Sequence, residues 1–295
     1  LRGIFSLMVV LYHYSEKIMP DFIYNNFLIR TSDLFVDFFF VLSGFVIFLN
    51  YKNLNHIKKL KVFICKRLFR LYPLLFYTVF VFLFFEILAA SFSSDFMNNP
   101  KSIQEKLTDT LESLTFMNST PVFGTSMGMN YPSWSISAEM ISYFTFGLIM
   151  ILTKIRSRII LNFNIVLISI IILISLGGEI NSFLGEYGFI RGLISFFSGV
   201  LVCKFYIHDK RIFKNYLETI SLLIIMFSLF TIHHQLLVPG LSIILIPLVF
   251  SFSILIFSKT NGKISTVLRS SVFQFLGKIS YSVYLNHGLL IVLIP

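Results

Sequence analysis

The stretch "LRGIFSLMVVLYHYSEK", residues 1–17, decides how this chain is read. Arg2 opens an apolar run, and His13 follows after ten intervening residues. The run reads as a membrane helix, since no residue between Arg2 and His13 is charged. A charged side chain at the centre of such a helix costs about 2.5–3.5 kcal/mol on insertion scales, and an ionisable ring there stands as a functional candidate by default.

The rest of the chain agrees with that reading. Of 295 residues, 56% are hydrophobic and only 13% charged, against about 25% charged in an ordinary soluble domain. The mean hydropathy is +0.83. Composition therefore makes this an integral membrane protein. The net charge of +10 is carried in short clusters between apolar spans. With no RNA- or DNA-binding motif beside them, these clusters do not read as a nucleic-acid surface.

A membrane helix needs about 20 mainly apolar residues. Nine stretches qualify: 1–18, 34–50, 71–90, 134–152, 159–176, 190–207, 217–232, 240–258 and 272–295. The expected fold is an all-α, polytopic transmembrane helix bundle forming one domain over residues 1–295. Lysines and arginines alternate between the connections. The 51–70 connection holds seven, and 153–158, 208–216 and 259–271 hold three each. The intervening connections hold two, two, none and none. The positive-inside bias puts the rich connections in the cytoplasm, so the first span runs from inside to outside. Cys65 and Cys203 neighbour these basic segments, where a disulfide is not expected. The first apolar stretch lacks a small-residue cleavage site and is not read as a cleavable signal.

The one sizeable extramembrane piece is 91–133. In it Ile103, Leu107, Leu111 and Leu114 recur at helical spacing, which predicts an amphipathic helix on the outer surface. Asn118-Ser119-Thr120 fits the glycosylation acceptor pattern.

The buried charge candidates are His13, Asp37, Glu86, Glu139, Arg191 and His287. At about 1.5 Å per residue, His13 lies roughly 16 Å beyond Arg2 and His287 roughly 13 Å beyond Lys278. Glu139 lies about 8 Å below Trp134, whose indole suits the outer interface. Asp37 enters from the same side. Four helices thus bring ionisable groups to the middle or outer half of the membrane. Polar stripes accompany them: Arg2, Ser6 and His13; Asp33, Asp37 and Gly44; Ser135, Glu139 and Ser142; Ser280, Tyr284 and His287. In lipid such stripes turn inward. Glu86 near an interface reads as structural. Adjacent His233 and His234 have no Cys or carboxylate nearby in sequence, and no metal site is expected. In "KKLKVFICKRLFRLYP", residues 58–73, Arg67 and Arg70 share a helix face just before Pro73. Two guanidiniums suit bidentate phosphate binding, beyond a simple anchor to anionic lipid.

Five stretches together resemble the membrane-bound acyltransferase 3 family, the bacterial O-acyltransferases of surface polysaccharides. They are "LRGIFSLMVVLYHY", "VDFFFVLSGFVI", "KRLFRLYP", "PSWSISAEMISY" and "LGKISYSVYLNHG", in that order along nearly the whole chain. The resemblance implies a multi-pass protein of the bacterial plasma membrane. Acyl-CoA, usually acetyl-CoA, would be the cytoplasmic donor, and a hydroxyl of a surface or exported glycan or glycolipid the acceptor. His13 would be the catalytic group. Family members usually have ten spans; with nine here, and Leu1 in place of Met, the chain is expected to be trimmed at both ends.

The chemistry of the residues fits this independently. A histidine that takes the hydroxyl proton contributes about 10²–10⁴-fold, and His13 could instead carry the acyl group covalently. Glu139 is expected to orient His13. Arg67 and Arg70, with Arg2, would hold the CoA phosphates, while Asp37, Tyr284, His287, Trp134 and Arg191 line the cavity. The competing reading is a polytopic transporter or glycolipid flippase, which also uses buried charges near the midplane. It should show inverted repeats and matched broken helices, and neither is evident in the sequence.

Overall fold

Each of the nine apolar stretches folds as a long helix in the computed structural model, which describes residues 1–92, 102–122, 127–209 and 211–293. Lys101, Lys210, Pro295 and parts of the 91–133 connection lie outside these. The described residues form no strand. The helices are α1 (Arg2–Ile18), α2 (Asp21–Tyr24), α3 (Phe27–Arg30), α4 (Phe35–Tyr51), α5 (Ile57–Phe92), α6 (Ile103–Leu114), α7 (Trp134–Leu152), α8 (Ile155–Leu176), α9 (Gly188–His208), α10 (Tyr216–His233), α11 (Leu241–Lys259), α12 (Lys263–Leu268) and α13 (Ser271–Leu293).

Seven of them, α4, α5 and α7 to α11, are long and apolar enough to cross a membrane. The chain is thus a multi-pass, all-α membrane bundle. The first and last expected spans fall short of that measure for a physical reason. Helix α1 is 17 residues long and carries Arg2 and His13. Helix α13 carries Gln274, Lys278, Asn286 and His287. These two less apolar helices pack on each other, so closely that a Cβ on Gly3 would sit 2.5 Å from Leu276 Cβ.

Loop contacts fix the two ends of the bundle. At one end Lys259 Nζ pairs with Asp209 at 3.4 Å, and Glu218 accepts the N–H groups of Gly262, Ile264 and Ser265 at the start of α12. The basic segment of α5 belongs to this end, and we call it the basic end. At the opposite end Ile180 N–H donates to Ser242 Oγ at 3.1 Å, Phe189 N–H to Ser119 O at 3.1 Å, and Asn130 Nδ2 to Leu285 O at 3.1 Å.

The centre of the bundle is the crossing of α4 and α9. A Cβ on Gly44 would lie 1.9 Å from Phe196 O, and one on Gly199 would lie 1.9 Å from Val41 O. Only glycine lets the two backbones come this near, as small residues do in membrane helix packing. A fully buried ion pair locks the crossing: Asp37 and Arg191 are both 0% exposed, and Arg191 Nη2 lies 2.6 Å from Asp37 Oδ2. Arg191 Nε also reaches both carboxylate oxygens, at 3.2 and 3.1 Å, and Ser195 Oγ donates to Oδ1 at 2.8 Å.

Two sequence readings change here, and the reading of α6 gains a detail. The basic segment and the third span are one helix, α5, of 36 residues with Pro73 inside it. At about 1.5 Å per residue it runs roughly 54 Å, well past a hydrocarbon core of about 30 Å. Pro73 lacks the N–H that would reach Phe69 O, a loss membrane helices tolerate. Helix α6 forms as expected, with a capping box between Ser102 and Glu105. Its polar face is the buried one: Lys106, Asp109, Glu112 and Ser113 are covered while Ile103, Leu107 and Leu111 are exposed. Lys106 pairs with Glu86 at 3.4 Å, which gives Glu86 its structural role and leaves the apolar stripe for lipid. Finally, Asn118 is 1% exposed, and its amide donates to Met127 O and Ser133 Oγ, both at 2.8 Å. A buried, bonded amide nitrogen does not accept a glycan.

Candidate active site

Two cavities lie end to end inside the bundle. The first, about 130 Å³, is lined by Arg2, Ser43, Arg70, Glu139, Tyr143 and Tyr281 among others. The second, about 60 Å³, is lined by Tyr12, His13, Asp33, Tyr131, Trp134 and Asn181 among others. Val36 and Tyr284 line both. The wall between them is therefore one layer of side chains. Arg2 and Arg70, from the basic ends of α1 and α5, mark the first chamber as the one toward the basic end. Trp134 and Tyr131 at the start of α7 mark the second as the one toward the opposite end.

One of a pair of histidines, His13, lines the second chamber, and the other, His287, stands behind it. The close packing of α1 on α13 brings His287 Nε2 to 3.2 Å from His13 Nδ1, with ring centroids 4.8 Å apart. Each ring also meets a backbone carbonyl of its own helix. His13 Nδ1 lies 2.9 Å from Val9 O, and His287 Nδ1 bonds Tyr284 O. A carbonyl oxygen only accepts, so both neutral rings carry their hydrogen on Nδ1. His287 Nε2 is then a bare acceptor facing the His13 Nδ1–H, and the basic lone pair of His13 sits on Nε2. If His13 takes a proton there, its Nδ1–H becomes a stronger donor to both Val9 O and His287 Nε2. The pair thus orients His13 and stabilises its cation, as a carboxylate does in a catalytic triad.

The sequence expectation gave that orienting part to Glu139, and the structure pairs Glu139 differently. Its Oε1 accepts from Ser43 Oγ at 2.6 Å and from Tyr143 Oη at 2.5 Å, and it lines the first chamber beside Arg2 and Arg70. That chamber combines two cations, one carboxylate and a ring of aromatic and aliphatic walls. Arg67 stands behind it. Its Nη2 donates to Tyr51 Oη at 3.2 Å, and its guanidinium lies 5.5 Å from the Tyr51 ring and 6.0 Å from the Tyr143 ring. Arg67 therefore packs against the side chain that holds Glu139, while Arg70, an exposed residue, reaches the chamber mouth.

Tyr284 sits at the partition. Ser135 Oγ donates to its hydroxyl at 3.0 Å, and the Tyr284 hydroxyl donates to Pro132 O at 3.3 Å. Trp134 lines the second chamber and lies 5.4 Å from the Arg191 guanidinium. Asp37, Arg191 and His287, expected on the cavity wall, line neither chamber among the described residues: the first two form the tie between α4 and α9, and His287 backs His13. Asp33, Tyr131 and Asn181 were not singled out as site residues from sequence. Asp33 stood in a polar stripe with Asp37, whereas Asn181, in the turn before α9, carries no periodic signal.

A family model described as an acyltransferase domain matches residues 1–294. The chain belongs to the acyltransferase 3 family and is a membrane acyltransferase. Comparisons with curated proteins and with solved structures gave no match. Family membership decides against the transporter reading.

Proposed function

We propose that this protein moves an acetyl group from cytoplasmic acetyl-CoA to a hydroxyl of a surface or exported glycan, with His13 as the general base. The observation that carries the proposal is the pair of abutting chambers, one with Arg2 and Arg70 at the basic end, the other with His13 toward the opposite end. A donor and an acceptor on opposite sides of a membrane need such an arrangement. The lysine and arginine bias supports a cytoplasmic basic end, in the bacterial plasma membrane that the family resemblance implies.

The first chamber is well below the roughly 300–1,000 Å³ of sites that bury a whole drug-sized ligand. It suits the acyl-thioester end of the donor. The nucleotide then lies outside, against Arg70 and the lysines of α5, where a guanidinium fork favours phosphates. The acyl end passes between Val36 and Tyr284 to reach the second chamber. There the acceptor oxygen attacks the thioester carbon and its proton passes to His13 Nε2. The tetrahedral intermediate collapses, the carbon–sulfur bond breaks, and the new oxygen ester forms. The thiolate leaves into the first chamber, where Arg2 and Arg70 offset its charge until it is protonated. His13 gives up its proton to solvent through the second chamber. Glu139, held by Ser43 and Tyr143, balances the two arginines when no donor is bound. No metal enters this scheme.

Mass spectrometry of surface glycans from cells with the intact gene, without it, and with His13→Gln tests the proposal. The acetyl mass should appear on one sugar in the first case only. Identical glycans in all three would refute it.

A further inference from the structure

We infer that Val36 and Tyr284 set the length of the transferred acyl group: together they form a filter that passes a two-carbon group and holds back longer ones. This rests on the reading of the protein as an acyltransferase working between two chambers, and deepens it by naming what selects the donor.

Helix faces place the filter. On α4, Val36, Phe39, Phe40 and Ser43 recur at helical spacing and line the first chamber; of these four Val36 alone also lines the second. On α13, Ser280, Tyr281 and Tyr284 line the first chamber, and of these three Tyr284 alone lines the second. Each helix thus gives its last residue of the first chamber to the partition. The Tyr284 hydroxyl lies at the same level. Ser135, which bonds it at 3.0 Å, lines the first chamber, and Pro132, whose carbonyl accepts from it at 3.3 Å, lines the second. Neither side of the filter gives way easily. Those two bonds hold Tyr284, and Phe39 meets its ring edge-on, with centroids 6.3 Å apart. Val36 is buried, and its β-branched side chain has few rotamers. Its helix is fixed one residue later by the Asp37–Arg191 pair at 2.6 Å, and at Val41 by the close approach of Gly199. A close-packed interior resists widening, so a longer acyl group does not open its own path.

Space beyond the filter is short as well. The second chamber holds about 60 Å³, about the volume of two water molecules in the liquid, against about 130 Å³ in the first. It must take the reacting end of the acyl group together with the attacking oxygen beside His13. An acetyl group brings a single methyl beyond its carbonyl carbon. Each further methylene has to lodge against Val36 and Tyr284 or displace the acceptor. One surplus methylene in a fitted apolar site lowers kcat/KM about 10- to 200-fold. A longer thioester still enters the larger first chamber from the basic end, so the loss falls on turnover and not on donor binding.

The test uses full-length protein in proteoliposomes, the glycolipid fraction of the producing cells as acceptor, and labelled acetyl-, propionyl- and butyryl-CoA as donors. In the wild type kcat should fall about 10-fold or more with each added methylene, while the KM for propionyl-CoA and the Ki of butyryl-CoA against acetyl-CoA stay within about threefold of the KM for acetyl-CoA. Val36→Ala removes both methyl groups from the filter and should raise the propionyl-to-acetyl kcat ratio about 10-fold or more. Val36→Ile, which adds a methylene there, should lower that ratio. Leu42→Ala enlarges the first chamber away from the partition and should leave the ratio at its wild-type value. A general loss of packing would slow all donors alike and not move the ratio. If Val36→Ala does not give folded protein, the direction of change in Val36→Ile decides. A wild-type kcat for propionyl- or butyryl-CoA equal to that for acetyl-CoA would overturn the inference. So would an unchanged ratio in both Val36 variants, or a ratio raised as much by Leu42→Ala as by Val36→Ala. Those results leave acyl transfer itself standing. Wild-type protein that transfers no acyl group from any of the three donors would refute the acyltransfer reading, and the filter with it.

Discussion

Replacing Arg191 by methionine removes one half of the tie between α4 and α9. The guanidinium makes three bonds to the Asp37 carboxylate, at 2.6, 3.1 and 3.2 Å. After the change Asp37, 0% exposed, keeps Ser195 Oγ as a donor but has no countercharge from its partner. Removing one member of such a pair costs about 3–5 kcal/mol, because the other charge stays buried. At about 2–4 °C per kcal/mol for chains a little smaller than this, the melting temperature of detergent-purified protein should fall by about 6–20 °C. Asp37→Leu alone strands the arginine and should cost a similar amount. The double variant Asp37→Leu/Arg191→Met removes both charges together and should recover most of the loss, since replacing a whole buried pair by apolar side chains is often neutral. Because neither residue lines a chamber, the recovered double variant should also retain acetyl transfer. A double variant as unstable as the sum of the singles would refute the pairing argument. A stable but inactive one would return Asp37 and Arg191 to the active site.

Arg70→Ala should raise the KM for acetyl-CoA about 10-fold or more through loss of a charge-assisted contact, with Arg70→Lys partly restoring it. Arg67→Ala should lower kcat more than affinity, since Arg67 packs on Tyr51 and Tyr143; steady-state kinetics separate the two. Gly199→Ala should prevent accumulation of folded protein, because its Cβ would meet Val41 O at 1.9 Å; a monodisperse, normally abundant variant would contradict the close crossing. For orientation, a cysteine at Val122, 63% exposed, should react with a membrane-impermeant maleimide in intact cells and one at Lys59 should not, in a background without Cys65 and Cys203. The reverse pattern would invert the donor and acceptor sides.

The long helices were legible because the bilayer sets their length and apolarity, and because the arginine and lysine clusters bound them. Helices α2 and α3, four residues each, are too short to leave a period. The continuity of α5 through Pro73 was hidden because proline is a boundary signal in water, whereas a membrane bundle accommodates it. The sequence also showed the stripe of α6 but not that the polar side faces the protein, which follows from lipid being the apolar neighbour. At the site, residue spacing gave the depth of His13, His287 and Glu139, since rise along a helix is fixed. It did not give the rotation of each helix about its axis, which packing sets. Depth alone therefore placed Glu139 beside His13, whereas the contact of α1 with α13 pairs His13 with His287.

The central claim is that His13 takes a proton during acetyl transfer across the membrane, and one measurement tests it most directly. Labelled acetyl-CoA is supplied outside sealed inverted vesicles, and label is counted on the enclosed glycan for wild type and His13→Gln at matched protein levels. Glutamine keeps a hydrogen-bonding side chain beside Val9 O and His287 but does not accept a proton near neutral pH. The account predicts transfer in the wild type and a drop of about 100-fold or more in the variant. Transfer by His13→Gln within a few-fold of wild type would contradict it and reduce His13 to a packing residue.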